Sequence, residues 1–296
     1  MKQIISLLFT LLSILGGGEL SAQEIEFSKE TFSSSGVSLP YRKANILGND
    51  NNASLVVYRH GGSSKGDDNE AQMQEPGIDS IANWLMENKR KAIMIVPQYP
   101  TDKAWLGTMQ DVVTALIKTY IDRGAVATDR IYIFGGSMGG TGTWGMLSNY
   151  PELFAAAMPV AGNPTGMNAE AMAKVPVYTV MGTADRIMKI SNVETFLAEM
   201  DNYDAEYKLD IEDGWTHEDV CKNSYTKLRL TWVFQHVKGQ MNGIENIGKP
   251  KCKTIKVTWF TANGQKLNSA PNKKGVYIKC AVYDDGSITS GKFYRN

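Results

Sequence analysis

A serine fenced in by glycines stands in the stretch IYIFGGSMGGTG, Ile131 to Gly142, as Gly135-x-Ser137-x-Gly139. A serine hydroxyl attacks a carbonyl carbon only when a neighbouring base takes its proton. G-x-S-x-G fits a sharp strand-to-helix turn that pushes such a hydroxyl out at the top of a sheet. Segments pack closely around that turn, which favours flanking residues without a Cβ. Glycine-rich turns also produce the pattern by chance, so its surroundings decide what it means.

The base is sought among three histidines, His60, His217 and His236. The G-x-S-x-G turn resembles the nucleophile turn of the α/β-hydrolases, and that resemblance implies an Asp or Glu and then a His after the serine in chain order. His60 precedes Ser137 and fails that order. His236 falls in the last predicted helix and reads as a packed or surface residue. His217, in DGWTHED, falls in a predicted loop after the strand Tyr207 to Ile211 and reads as the base. Asp185, in VMGTADRIM, follows the strand Val177 to Met181 and reads as the acid that orients the imidazole. Glu212, Asp213, Glu218 and Asp219 crowd His217 as rivals. Donors for a tetrahedral oxyanion are expected from the Met138 N–H and from Gly61 and Gly62 in YRHGGSS. Trp105 and Trp215 fall in loops at the same edge, as either a stacking wall for substrate or ordinary packing.

These residues need a scaffold that brings one sheet edge together. Leu55 to Tyr58, Ala92 to Val96, Ile131 to Phe134, Ala155 to Val160, Val177 to Met181 and Tyr207 to Ile211 are short apolar runs suited to buried parallel strands. Helical patterns lie between them. Met109, Val112, Val113, Leu116, Ile117, Tyr120 and Ile121 line one face at the helical period. Thr108 and Asp111 read as a capping pair at its start, with Gly124 at its end. Ile78 to Asn88, Gly139 to Tyr150, Val193 to Met200 and Tyr225 to Val237 read as further helices. Phe27 to Leu47 reads as a leading antiparallel pair. The expected fold class is α/β, a mostly parallel sheet with helices on both faces. Between Ala155 and Val177 no segment is long enough for a large lid, which predicts an open site.

The formal net charge is zero across 296 residues, against an electrostatic grip on nucleic acid or an anionic membrane. Residues 1–23 read as a signal peptide: Lys2, an apolar run from Ile4 to Leu15, and Ser21-Ala22. That run is too short for a stable membrane span, which needs about 20 residues. Export makes disulfides permissible. Of the three cysteines, Cys221, Cys252 and Cys280, an odd one is left over, and pairing of the last two stays open. They lack metal-ligand spacing, and no metal or cofactor is expected. Residues 24–238 form the expected catalytic domain and 239–253 a linker rich in Gly, Asn and Lys. Residues 254–296 read as a small β module, with runs at Thr254 to Thr261, Gly275 to Tyr283 and Ser287 to Tyr294 and turns at Asn263-Gly264 and Asp285-Gly286.

LPYR at Leu39 to Arg42, the His60-Gly61-Gly62 loop, DRIYIFGGSMGG, GTADRIM and the GWTH loop together resemble the α/β-hydrolase superfamily. More narrowly they resemble secreted esterases of the feruloyl esterase and polyhydroxybutyrate depolymerase-like group, which includes carbohydrate esterase family one. The resemblance covers about Glu24 to Lys238. It implies Ser137, Asp185 and His217 as a catalytic triad, an oxyanion hole at Met138, Gly61 and Gly62, and no cofactor. It also implies action on carboxylic esters, such as acetyl or feruloyl groups on plant-wall xylan. WFTANGQKL, KKGVYIKC and DDGSITSGKFYRN resemble sorting domains of the type IX secretion pathway, implying contact with secretion machinery. A small accessory or carbohydrate-binding module is the other reading of that end. A prolyl oligopeptidase-type peptidase shares the fold and triad order, and a non-catalytic binding protein is the third reading of the chain.

Overall fold

The computed structural model describes residues 25–48, 52–100, 105–239 and, apart from 262, 272, 274 and 284–287, residues 254–295. The expected signal peptide, residues 240–253 with Cys252, and the Asp285-Gly286 turn lie outside the described residues. So does the side chain of Cys280. The chain divides into two compact units, Met1–Gln240 and Met241–Asn296.

The first unit alternates strand and helix. Its elements are β1 (Ser28–Ser34), β2 (Val37–Ile46), β3 (Ser54–Arg59), α1 (Pro76–Glu87), β4 (Ala92–Pro97), α2 (Thr108–Asp122), β5 (Ile131–Gly136), α3 (Met138–Asn149) and β6 (Ala156–Val160). There follow α4 (Ala169–Met172), β7 (Val177–Gly182), α5 (Ile190–Met200), β8 (Tyr207–Glu212), α6 (His217–Asn223) and α7 (Lys227–Phe234). One sheet runs β1-β2-β4-β3-β5-β6-β7-β8. β1, β2 and β4 pair antiparallel, and every pairing from β4–β3 to β7–β8 is parallel. Ser35 at φ 53° and Gly36 at φ 74° make the tight β1–β2 turn, the left-handed geometry that suits the strand twist.

The sheet has helices on both faces, and its central strands are buried at every position. In β3 and β5, alternate side chains feed opposite cores. Leu55, Val57, Ile131 and Ile133 join one cluster with Val112, Leu116, Trp144 and Val193 from α2, α3 and α5. Val56, Tyr58, Tyr132 and Phe134 join the other with Ile78, Ile81, Val220 and Phe234 from α1, α6 and α7. A strand buried on both faces has no polar alternation, hence the continuous runs in the sequence.

Three local expectations are corrected. Gly107 at φ 65°, with no side-chain cap, starts α2, and Asp111 is taken instead by the Tyr150 hydroxyl, so the Thr108–Asp111 box does not form. The predicted helix Tyr225 to Val237 ends at Phe234, and a separate helix, α6, precedes it. His236 therefore lies just beyond α7, fully buried, with Nδ1 against the Trp232 carbonyl at 2.7 Å and Nε2 against Glu206 at 3.0 Å.

The second unit is a four-stranded antiparallel sheet in the order β10-β9-β11-β12, from β9 (Thr254–Thr261), β10 (Lys266–Leu267), β11 (Gly275–Tyr283) and β12 (Ile288–Arg295). Gly264 at φ 85° serves the β9–β10 turn, and the two-residue β10 is an addition to the expected runs. Among the described residues no helix is long and apolar enough to cross a membrane.

Candidate active site

Ser137 stands between β5 and α3 with φ 57° and ψ −119°, well outside the helical and extended regions. Holding a non-glycine residue there costs about 1–3 kcal/mol, which the packing on both sides must offset. The glycines explain how that packing is reached. A Cβ on Gly139 would fall 1.9 Å from the Arg59 carbonyl oxygen, and one on Gly135 would fall 2.5 Å from the Gly139 oxygen. A Cβ on Gly140 would fall 2.3 Å from the Val160 oxygen. The start of α3 thus lies directly on the ends of β3 and β6, and the hydroxyl is driven out at the carboxyl edge.

His217 arrives from the far end of the sheet. It is the first residue of α6 rather than a loop residue, because Thr216 and Asp219 close a reciprocal cap. The Asp219 N–H donates to Thr216 Oγ1 at 3.2 Å, and the Thr216 N–H donates to Asp219 Oδ2 at 3.0 Å. The cap fixes where α6 begins, and so where the imidazole points. Nδ1 meets Asp185 Oδ2 at 2.8 Å and Nε2 meets Ser137 Oγ at 2.7 Å. The carboxylate can only accept, so Nδ1 carries the proton and Nε2 is free to accept from the serine.

Asp185 lies in the turn after β7 with its side chain fully enclosed. Its second oxygen, Oδ1, accepts the N–H groups of Ile187 at 2.8 Å and Met188 at 2.9 Å. The rival carboxylates are engaged elsewhere: Glu212 with Arg229, Asp213 with the Thr183 hydroxyl and Asp219 in the α6 cap. Glu218 is exposed in the first turn of α6.

The loop after β3 departs from expectation in one respect. Gly61 does lie against the serine, since a Cβ on it would stand 3.7 Å from Ser137 Cβ. Its N–H, however, donates to Glu75 Oε1 at 2.8 Å and so does not face an oxyanion. Gly62, the next residue, opens a short 3-10 turn, and a Cβ there would meet nothing within 4 Å. Met138 begins α3, where the first N–H groups of a helix have no intrahelical acceptor.

His60 braces that loop from beneath. It is fully buried, with Nδ1 donating to the Gly61 carbonyl at 2.7 Å and Nε2 accepting the Tyr99 N–H at 2.9 Å. Burial holds its imidazole down at about 4. A depressed histidine contributes stability above its ordinary value of 6.5 and loses it as pH falls toward about 4. The denaturation midpoint of the parent is therefore expected to drop across that window, and less so in His60→Gln.

The tryptophans fare differently. Trp105 is 1% exposed, so it cannot be a stacking wall. Its indole N–H donates to the His60 carbonyl at 2.9 Å, and the Arg59 guanidinium lies 4.5 Å from its ring centre. Burial of Trp105 was hidden in the sequence because the residues that enclose it come from β3, α3 and the Tyr99 segment. Trp215 is half-buried, with the Arg229 guanidinium 5.9 Å from its ring. Its carbonyl accepts the Ala184 N–H at 3.0 Å, tying the His217 segment to the Asp185 turn. Glu75, which no sequence motif marks, is the carboxylate neighbour of the Gly61 loop: it accepts the Gly61 N–H and the Ser64 hydroxyl. Among the described residues no group of three His, Cys, Asp or Glu side chains could hold a metal ion.

A model of the dienelactone hydrolase family matches residues 86–228. No curated protein sequence matches the chain. Among solved structures, a thermostable esterase is similar at 24% identity and a TM-score of 0.67, over 71% of this chain and 63% of that one. The chain thus spans less than two thirds of that esterase. A feruloyl esterase module from Clostridium thermocellum, complexed with sinapinate, is similar at 15% identity and a TM-score of 0.57, over 74% of this chain and 91% of that one. An acylaminoacyl peptidase from Pyrococcus horikoshii is similar at 16% identity and a TM-score of 0.55, over 75% of this chain and 43% of that one. The first unit has the α/β-hydrolase fold.

Proposed function

We propose that the chain is a serine carboxylic ester hydrolase that works through an acyl-enzyme. The observation that carries this reading is the continuous relay from Ser137 through His217 to Asp185, at 2.7 Å and 2.8 Å. In the first half-reaction Ser137 Oγ bonds to the ester carbonyl carbon, and its proton passes to His217 Nε2. The tetrahedral oxyanion accepts from the Met138 and Gly62 N–H groups. Collapse breaks the bond to the alcohol oxygen, which leaves with the proton from His217. In the second half, water gives a proton to His217 Nε2 and attacks the acyl carbon. Ser137 then leaves with that proton, the acid is released, and the site returns to its starting state. Asp185 keeps the imidazole in the right tautomer and stabilises its charged form.

The substrates of this reading are feruloyl or acetyl esters on plant-wall polysaccharide. The likeness to the feruloyl esterase module supports the first. A secreted protein, exported by residues 1–23 and handed to secretion machinery by residues 254–296, suits such a polymer. With Trp105 enclosed, aromatic stacking falls to the half-buried Trp215. The test is product release from acetylated, feruloylated arabinoxylan by the mature protein, with Ser137→Ala as control. Ferulate or acetate released only by the parent supports the reading. Neither product, alongside cleavage of acyl-peptides, favours the peptidase alternative.

A further inference from the structure

We propose that Glu75 is a positioning residue that sets the loop carrying the second oxyanion donor. The proposal rests on the reading of Ser137 as nucleophile. One carboxylate oxygen, Oε1, accepts both the Gly61 N–H and the Ser64 hydroxyl, each at 2.8 Å. The Ser64 N–H returns to the Gly61 carbonyl at 3.3 Å, which closes the turn. The Gly61 carbonyl also takes the His60 imidazole N–H. Both backbone polar groups of Gly61, its N–H and its carbonyl, are thus consumed inside the protein. Gly61 acts as a fixed pivot against Ser137, and Gly62 follows it on the free side of the turn.

Glu75 is itself held firmly. It is the residue immediately before α1, and Gly77 in the first turn packs between two aromatic rings. A Cβ on Gly77 would fall 2.6 Å from a Tyr58 ring carbon and 2.5 Å from a Tyr225 ring carbon. The start of α1 therefore cannot slide without opening the core beneath it. The latch joins this anchored helix to the loop beside the nucleophile.

A carboxylate near a developing oxyanion opposes it electrostatically, so its charge is not what the reaction uses. What the loop needs is an acceptor at the Oε1 position. Glutamine offers one there, and its amide nitrogen would replace Oε2. Alanine offers none. The geometry therefore separates acceptor from charge, and a misplaced donor lowers kcat rather than ground-state binding.

The experiment measures kcat and KM for p-nitrophenyl acetate with the parent, Ser137→Ala, Glu75→Ala, Glu75→Gln and Glu75→Asp. Glu75→Ala is expected to lower kcat about 10- to 100-fold with little change in KM. Glu75→Gln is expected to recover most of that loss. If Glu75→Ala does not fold, as judged by thermal melting, Glu75→Asp replaces it, because its shorter side chain cannot reach Gly61 and kcat should fall at unchanged KM. Parent-like kcat in Glu75→Ala, a raised KM alone, or Glu75→Gln as slow as Glu75→Ala overturns the proposal. A parent with no Ser137-dependent turnover overturns the nucleophile assignment, and the proposal with it.

Discussion

Ser137→Ala is expected to lower kcat for ester hydrolysis about 10⁴- to 10⁶-fold while leaving the fold intact. The loss is large because the oxygen removed is the one that bonds to substrate, and the relay from Asp185 then ends on nothing. The fold should survive for local reasons. Ser137 makes no side-chain capping bond to α3, so the hydroxyl does not hold the helix start. The unusual backbone angles are imposed by contacts at Gly135, Gly139 and Gly140, and alanine tolerates them about as well as serine. Thermal melting should thus move by no more than a few degrees, about 1 kcal/mol or less. A variant that loses activity by unfolding would show itself in the same measurement.

Asp185→Asn is expected to cost about 10⁴-fold in kcat, nearly as much as losing the base. The asparagine carbonyl can still accept from the Ile187 and Met188 N–H groups, where Oδ1 now does. Its amide nitrogen then faces His217 Nδ1. Two donors cannot meet there, so Nδ1 must become the acceptor and the ring proton moves to Nε2. That proton points at Ser137 Oγ, where a lone pair is needed. The geometry survives and the chemistry fails. Because the three residues act as a unit, adding His217→Ala to Asp185→Asn should reduce kcat by far less than the product of the two single losses. Steady-state rates of the two single variants and the double variant check this.

The residues that carry the relay were legible in the sequence for a physical reason. Strands β3 to β7 are buried on both faces, so each is a short and mostly apolar run, and the residues that follow each run sit at one edge. The chain order implied by the resemblance to α/β-hydrolases then pairs Ser137, Asp185 and His217 without any knowledge of packing. What stayed hidden depends on contacts between distant segments. Trp105 looks like an edge residue until Arg59, His60 and Tyr99 close around it. Gly61 and Gly62 look equivalent until Glu75, 14 positions away, takes one N–H and not the other. The helix α6 was missed because seven residues give too little periodicity, although Thr216 and Asp219 spell its cap. The Thr108–Asp111 pair has almost the same letters and forms no cap, because Tyr150 takes the aspartate. A short polar motif reports a possibility, and the tertiary neighbour decides it.

The most direct test of the central claim is labelling of the folded parent protein with a fluorophosphonate probe, with the modified residue located by mass spectrometry. A serine activated by His217 should react, with the adduct on Ser137, no labelling of Ser137→Ala and strongly slowed labelling of His217→Ala. A folded parent that takes no label, or a Ser137→Ala variant that labels as strongly as the parent, would contradict the account.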